Sequence, residues 1–220
     1  MEFKKCSPEE SREAQQQLLV QEVLEGLRKR QVEGKFVRTR EEAVREILSM
    51  IPPGAKVGFG GSLTLDELGI KDILRKGNYR FIDRNAPDLS PEQVFQLRRE
   101  SLLADVFLCS TNAITRDGKL VNIDGSGNRL AALAFGPSKV IVVAGVNKIA
   151  GSLEQALDRV RNYAAPVHAR RRAWKVPCVQ TGACSDCRSP NRICCVTTIV
   201  EFQREKGRLT VILVGENLGL

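Results

Sequence analysis

The sequence predicts an α/β fold: a mostly parallel sheet flanked by helices, led by an N-terminal helical segment over residues 1–34. Three observations carry this. Strand-like and helix-like segments alternate along the chain, the pattern that buries a parallel sheet between helical layers. Residues 139–144 are apolar without alternation, as a strand covered on both faces must be. A glycine-rich turn at residues 58–64 joins a strand to a helix, where open α/β sheets bind their ligands.

The elements follow in order. Val20, Val23, Leu24 and Leu27 recur at helical spacing within residues 8–30, with acids at the start and Arg28, Lys29 and Arg30 at the end. Gly34 is read as the stop. Thr39 and Glu42 make a capping box for a second helix, which Pro52-Pro53-Gly54 ends. A strand at 55–59 runs into the glycine turn, and a helix starts near Thr64. Residues 79–83 read as a strand. Ser90, Pro91 and Gln93 open a helix reaching about Leu103. Residues 105–109 are a buried strand. Residues 113–116 and 119–123 form a hairpin about Asp117-Gly118. A short helix at 128–135 precedes the apolar strand, and Ser152 with Gln155 caps a helix to Tyr163. Strands at 197–202 and 209–214 close the chain. The hairpin and these last strands are expected to make the sheet mixed.

Composition narrows the class. Of 220 residues 42% are hydrophobic and 27% charged, enough to build a core and unlike a disordered or collagen-like chain. The chain is read as a single domain over 1–220. No apolar run approaches the roughly 20 residues of a membrane helix. The stretch from Met1 to Pro8 lacks an apolar leader, so a cytoplasmic protein without a membrane partner is expected. Lys and Arg number 34 against 26 Asp and Glu, a net charge of +8. Part of the surplus sits at Arg159, Arg161, Arg170, Arg171, Arg172 and Lys175. Only Tyr163 and Trp174 accompany it, too few aromatics for a stacking platform, so it reads as a solvated face and not a nucleic-acid site.

Two regions carry candidate chemistry at the ends of strands. The first is Gly58-Phe59-Gly60-Gly61-Ser62-Leu63-Thr64. Glycines there let backbone N–H groups face an anion, and Ser62 and Thr64 add hydroxyls. No Gly-Lys-Ser/Thr follows, so this is no P-loop. Leu63 stands where a dinucleotide fingerprint needs its third glycine, although Asp83 ends the next strand about where a ribose-binding acid lies. The second region is polar: Asn112, Thr115, Asn122, Asp124, Asn128 and Arg129 fall close together. Asp124 is the candidate acid or base, and Arg129 the candidate clamp for a carboxylate or phosphate. Lys148, after the apolar strand, offers another cation. His168, the single histidine, lies beside no nucleophile motif and is read as structural.

The cysteines are the most specific local signal. Five of seven fall within 178–195, as Cys178-x5-Cys184-x2-Cys187-x6-Cys194-Cys195. Without a leader a disulfide framework is disfavoured, which leaves thiolate ligation. Thiolates suit zinc and iron–sulfur clusters alike. Residues 176–195 are therefore read as a metal-binding segment inserted before the last strands. The spacing leaves Cys194 and Cys195 open as fourth ligand.

Taken with their order, the glycine turn at 58–64, Asn112-Ala113-Ile114-Thr115-Arg116-Asp117-Gly118, Asn122-Ile123-Asp124-Gly125 with Asn128-Arg129, and Gly145-Val146-Asn147-Lys148 resemble the LUD-domain (lactate-utilisation) family over about residues 12–200. The cysteine segment looks like that of a standalone bacterial branch of the family. The resemblance implies a phosphosugar isomerase/CoA-transferase-like fold, in which a loop like 58–62 holds phosphate, and a link to lactate oxidation alongside iron–sulfur partners. It points to Cys178, Cys184, Cys187 and Cys194 as ligands of an iron–sulfur cluster, the 4Fe-4S form included, with zinc as the alternative. The implied partners are an anionic small molecule and an electron-transfer protein, and a homo-oligomer is compatible. Competing expectations are a phosphosugar- or CoA-type enzyme with structural zinc, and a ligand-binding regulatory module without catalysis. The ligand-binding set is Gly58, Gly60, Gly61, Ser62, Thr64, Asn112, Thr115, Asn122 and Asn128, and the catalytic set Asp124, Arg129 and Lys148.

Overall fold

A computed structural model describes residues 6–220; the reading of an absent leader rests largely on Met1 to Lys5, which lie outside the described residues. Helix α1 spans Pro8–Lys29 and opens on Ser7, whose hydroxyl accepts the Glu10 N–H while the Glu10 carboxylate accepts the Ser7 N–H. In chain order there follow β1 (Glu33–Val37), α2 (Arg40–Ser49), β2 (Lys56–Phe59), α3 (Leu63–Glu67), α4 (Ile70–Lys76), β3 (Arg80–Phe81), α5 (Pro91–Glu100), β4 (Val106–Cys109), β5 (Ala113–Thr115) and β6 (Leu120–Asp124). Then come α6 (Asn128–Ala134), β7 (Lys139–Gly145), β8 (Ile149–Ala150), α7 (Leu153–Arg159), α8 (Ala165–Arg171), α9 (Cys178–Thr181), β9 (Val196–Val200) and β10 (Leu209–Val214). A π turn, Val160–Ala164, joins α7 to α8. Among the described residues no helix is long and apolar enough to cross a membrane.

The fold is α/β with a mostly parallel sheet. Its six strands run β1-β10-β7-β4-β2-β3, and every pairing is parallel. The hairpin does not extend it. A separate four-stranded sheet runs β8-β5-β6-β9, antiparallel except for β5 with β8. The expected single mixed sheet is therefore two sheets. Strand β10 returns to the middle of the parallel sheet, between β1 and β7, whereas β9 joins the hairpin. Strands β1 and β8 are the two missed from the sequence.

Alternation along the buried strands sorts the core into two layers. Phe107 and Cys109 of β4 face α1 and α6, with Val23, Leu27, Leu130 and Leu133. Val106 and Leu108 face the other way, against Ile47 of α2 and Leu65, Ile70 and Leu74. A smaller cluster, Ala113, Val121, Ala150, Ala156 and Val160, fixes α7 under the second sheet. Each large aliphatic side chain so buried stabilises by about 1.5–3 kcal/mol.

Helix α1 holds the two sheets together by a close crossing. A Cβ on Gly26 would lie 2.4 Å from the Asp117 carbonyl carbon, and one on Gly118 2.5 Å from that of Gly26. Gly118 also has φ +85°, the left-handed region that glycine tolerates. Arg30 then reaches across, donating to the Asp117 carbonyl and carboxylate at 2.5 Å each and to the Glu201 carbonyl at 2.6 Å.

Candidate functional site

The carboxyl ends of β2, β4 and β7 lie side by side, and the second sheet brings β6 against them. Ser110, directly after β4, sits where these loops meet. The Lys148 amine donates to the Thr64 hydroxyl and the Ser110 hydroxyl, both at 2.8 Å, and the residue is only 3% exposed. Burial pulls the amine down from its ordinary 10.5 to about 7, helped by the nearby charges of Arg159 and Arg129 and opposed by Glu67. An ammonium removed from water loses hydration that two hydroxyls replace only in part. The protein therefore holds a lysine whose proton comes and goes near neutral pH.

Arg129, on the first turn of α6, is spent differently. One terminal nitrogen donates to the Ser110 carbonyl at 2.9 Å and to Asn122 Oδ1 at 2.5 Å. The other donates to Asn112 Oδ1 at 3.0 Å and to the Ile123 carbonyl at 2.8 Å. Its Nε stands 3.6 Å from Asp124 Oδ2. The guanidinium thus pins β4, β6 and α6 together and lends the site its charge, with its terminal donors already engaged. Gly60 makes room for its stem, since a Cβ there would lie 3.0 Å from Arg129 Cγ and Cδ. Arg159 donates to the Asn112 carbonyl at 2.7 Å and the Asn147 carbonyl at 3.1 Å, tying the ends of β4 and β7.

The remaining candidates divide. Gly61, Asn112, Asn122 and Asp124 belong to this assembly, and Asp124 Oδ1 accepts the Gly125 N–H at 2.9 Å. Ser62 caps α3 through the Leu65 N–H at 3.3 Å. Asn128 accepts from the Ser126 hydroxyl at 2.8 Å on the loop that leads into α6. Gly58 packs within β2, where a Cβ would press to 2.9 Å on Ser101. Thr115 lies apart, closing the hairpin turn through the Lys119 N–H at 2.9 Å and the Asp117 carboxylate at 2.5 Å. Asp83, the ribose-binding candidate, is held by Arg75 at 2.5 Å. Sequence reasoning missed Ser110 and Arg159. It also set aside His168, which lies within electrostatic reach of Arg129 and Asp124; burial, then Arg171, Arg172 and Arg129, lower its pKa. The available signal for Ser110 was its place at the end of a fully buried strand.

The cysteine segment packs directly on this site. The Cys195 N–H donates to the Asp124 carbonyl at 2.9 Å, and a Cβ on Gly125 would meet the Ile193 carbonyl at 3.4 Å. Cys178, Cys184, Cys187 and Cys194 together line one small cavity of about 20 Å³, beside Arg161 and Arg192. Cys195 is exposed and does not line it. Burial raises the Cys178 and Cys194 thiols, and the neighbouring thiols add to this. Among the described residues no three His, Cys, Asp or Glu side chains are gathered tightly enough for a single metal ion. A zinc ion needs sulfurs within about 2.3 Å of itself, whereas a cluster spreads its thiolates over several metal atoms. The donor set, four soft thiols around one enclosed space with two arginines to offset their charge, suits a thiolate-bound cluster in its chemistry.

A DUF162 family protein from Deinococcus radiodurans superposes with a TM-score of 0.50 at 15% identity, over 91% of this chain and 98% of that one. A chain of a Pseudomonas malonate decarboxylase hetero-tetramer, solved with malonate, matches at TM-score 0.33 and 18% identity, over 68% of this chain and 35% of that one. Among the curated proteins nothing matches. The LUD domain matches residues 20–214, nearly the whole length from the middle of α1 to the end of β10, and the chain belongs to the LUD domain family.

Proposed function

We propose that this LUD-domain chain serves the utilisation of lactate or a related organic acid, binding an anionic small molecule at the carboxyl edge of the parallel sheet. The observation that supports it above all is the Lys148 amine, buried 2.8 Å from both Thr64 and Ser110 hydroxyls. The turn at Gly60, Gly61 and Ser62 leads directly into Thr64, and the charges of Arg129 and Arg159 act on Lys148. In this reading Lys148 Nζ, in its neutral form, accepts a proton from the hydroxyl of the bound acid anion and returns it. Asp124, whose side chain is 20% exposed at the rim, is the second proton-transfer group. Arg129 positions Asn112, Asn122 and Asp124 around the ligand.

Cys178, Cys184, Cys187 and Cys194 would hold an iron–sulfur cluster. Such a cluster, when bound, accepts or donates single electrons, which an electron-transfer protein would exchange at this face. What this chain's residues contribute is a connection: the segment meets the site through the Cys195–Asp124 backbone bond.

The test is anaerobic purification, followed by an absorption spectrum, iron, zinc and sulfide analysis, and calorimetric titration with L-lactate and pyruvate. Brown protein with matched iron and sulfide, and saturable binding of either acid lost in Lys148→Met, is the expected result. Colourless protein with stoichiometric zinc would overturn the electron-transfer role and turn attention to phosphosugar- or CoA-type chemistry. Binding without turnover would make the chain a regulatory module.

A further inference from the structure

The polar centre of the site is shut. Lys148 is 3% exposed, Thr64 1% and Ser110 6%, so no acid touches the amine while these three stay covered. The strand ends around them are locked, because Arg129 and Arg159 together donate to the carbonyls of Ser110, Ile123, Asn112 and Asn147. A second neighbour is of another kind. Residues 215–219 follow β10 and belong to no helix or strand. A Cβ on Gly219 would collide with the Thr64 hydroxyl oxygen and lie 3.2 Å from Lys148 Nζ, so the backbone here is laid directly on the amine. The Leu218 carbonyl stands 3.5 Å from the same hydroxyl. Gly219 has φ +62°, a conformation that glycine adopts without strain. Gly145, the last residue of β7, is bare for the same segment: a Cβ there would lie 2.5 Å from both the Glu216 carbonyl oxygen and the Leu218 nitrogen.

This segment is closely seated but thinly held. The Gly215 N–H donates to the Val37 carbonyl at 2.9 Å, which fixes its near end. The Leu218 N–H then donates to Asn147 Oδ1 at 3.1 Å, and the Gly219 N–H to the Glu67 carboxylate at 2.7 Å. Both acceptors are side chains, and Glu67 is exposed, so water can replace that bond at little net cost. The firm anchor is the Leu218 side chain, fully buried in the layer that holds Leu65 and Val143. A short irregular stretch with one buried side chain is the kind that opens locally while the sheet stays folded. A cavity of about 410 Å³, large enough for a small ligand, adjoins it. Asn147 and Asn217 line that cavity with Val146 and Gln16, whereas Lys148 does not. Asn147 therefore borders the open space and holds the covering segment at once.

We propose that residues 215–219 form a strap that shuts this site, and that an organic acid reaches Lys148 only when the strap lifts, by way of the cavity beside Asn147. The inference rests on Lys148 as the ligand's contact. In the closed form Gly219 occupies the ligand's place against Thr64 and Lys148, an autoinhibitory contact. Leu218 is the latch, and Asn147 and Glu67 are the catches.

The test follows Lys148 in the full chain with cyanate, which carbamylates unprotonated amines, read by peptide mass spectrometry. Lys29, exposed on α1, is the reference for reagent, and Lys71, buried on α4, the reference for general unfolding. Leu218→Ala and Gly219→Val should each raise the Lys148 rate roughly tenfold or more, because they weaken the latch or push the strap away. The Lys29 and Lys71 rates should stay as in the parent. Hydrogen exchange in the parent is the second measurement and needs no variant to fold. The Leu218 and Gly219 N–H groups should exchange roughly a hundredfold faster than those of Val211 to Leu213 in β10. Strap amides as protected as β10, Lys148 rates unchanged in both variants, or Lys71 rising in step with Lys148 would overturn the strap. Calorimetry with L-lactate and pyruvate separates this inference from the one it rests on. Tighter binding by Gly219→Val than by the parent supports the strap, since the variant's competent form is already populated. If Lys148 is uncovered in the variants and neither acid binds, the strap stands and the acid reading falls. If an acid binds the parent while the variants leave Lys148 unchanged, the strap falls and the anion pocket stands.

Discussion

The Ser110 hydroxyl lies 2.8 Å from the Lys148 amine, while the carbonyl of the same residue accepts an Arg129 N–H at 2.9 Å. One residue at the end of β4 therefore touches both buried cations. The two cations differ in what surrounds them. Arg129 has carbonyl and amide oxygens at each terminal nitrogen. Lys148 has two hydroxyls, each able to donate as readily as accept, and tolerates the neutral form. The first two predictions test these two surroundings in turn.

Lys148 should make stability depend on pH. Its folded value is about 7, against 10.5 ordinarily. Between these values the unfolded chain holds one more proton than the folded one. Stability must then rise with pH from about 7 towards 10, by at most about 1.4 kcal/mol per unit. Below 7 both states carry the proton and the full burial penalty applies. Lys148→Met removes the term, so the difference in unfolding free energy between variant and parent should be largest below pH 7 and shrink as pH rises. Urea denaturation from pH 6 to pH 10 measures it; a constant difference across that range counts against a neutral lysine.

Arg129→Met should destabilise at every pH, somewhat less at low pH, where loss of its charge also relieves the Lys148 ammonium. It strands the Ser110 and Ile123 carbonyls and the Asn112 and Asn122 side-chain oxygens, which the guanidinium now serves. Each buried acceptor left without a donor costs about 1–3 kcal/mol, with some relief as neighbours relax. A net loss of about 3 kcal/mol, or some 6–12 °C in Tm for a chain this long, is expected by calorimetry. Arg129→Lys, which keeps the charge but loses the fork, should recover less than half.

Gly26→Ala should be worse than Gly54→Ala, although only Gly54 has positive φ. At Gly54 the new Cβ meets nothing within 4 Å, so the cost is the backbone strain at φ +76°, about 1 kcal/mol. At Gly26 the new Cβ would lie 2.4 Å from a backbone carbon, and backbone cannot swing aside as a side chain can. Helix α1 would have to lift off the β5–β6 turn, at a cost of about 2 kcal/mol or more. Denaturation midpoints of the two variants settle the order.

Much of this fold could be read from the sequence because much of it is local. The apolar run of β7 and the hairpin about Asp117-Gly118 are written in short-range patterns, as is the Ser90–Gln93 cap, where both reciprocal bonds form. At the second predicted box Thr39 accepts the Glu42 N–H as expected, but the Glu42 carboxylate takes the N–H of Arg38 instead of Thr39. Strand β1 left no such pattern. Its first three residues are exposed and it contains a glycine, and it exists because Glu33 to Val37 find β10 some 177 positions away, as the Glu33–Thr210 side-chain bond shows. The division into two sheets is equally a matter of partners far apart in the chain. The strand ends named from the sequence as candidate positions do come together in space. What could not be read was which polar groups spend their hydrogen bonds on the fold. Arg129, read as a clamp, spends both terminal nitrogens on the fold; Thr115, read as a binding group, closes a turn; Ser110, between Cys109 and Thr111, was marked only by its place after a buried strand.

The cysteine segment gives the last prediction, and it turns on one pair of neighbours. Cys194 and Cys195 are adjacent, yet only Cys194 lines the cavity with Cys178, Cys184 and Cys187, while Cys195 turns its thiol to the Arg192 carbonyl at 3.3 Å. The backbone at this point is fixed by the Cys195 N–H on the Asp124 carbonyl, so the two side chains cannot exchange places without breaking the link to the site. Serine in place of Cys178, Cys184, Cys187 or Cys194 should each cost most of the iron and sulfide bound after anaerobic reconstitution, because a hydroxyl is a poor ligand for soft metal centres. Cys195→Ser should leave both near the parent's content. Equal losses at Cys194 and Cys195, or none at any of the four, would rule out this arrangement of ligands.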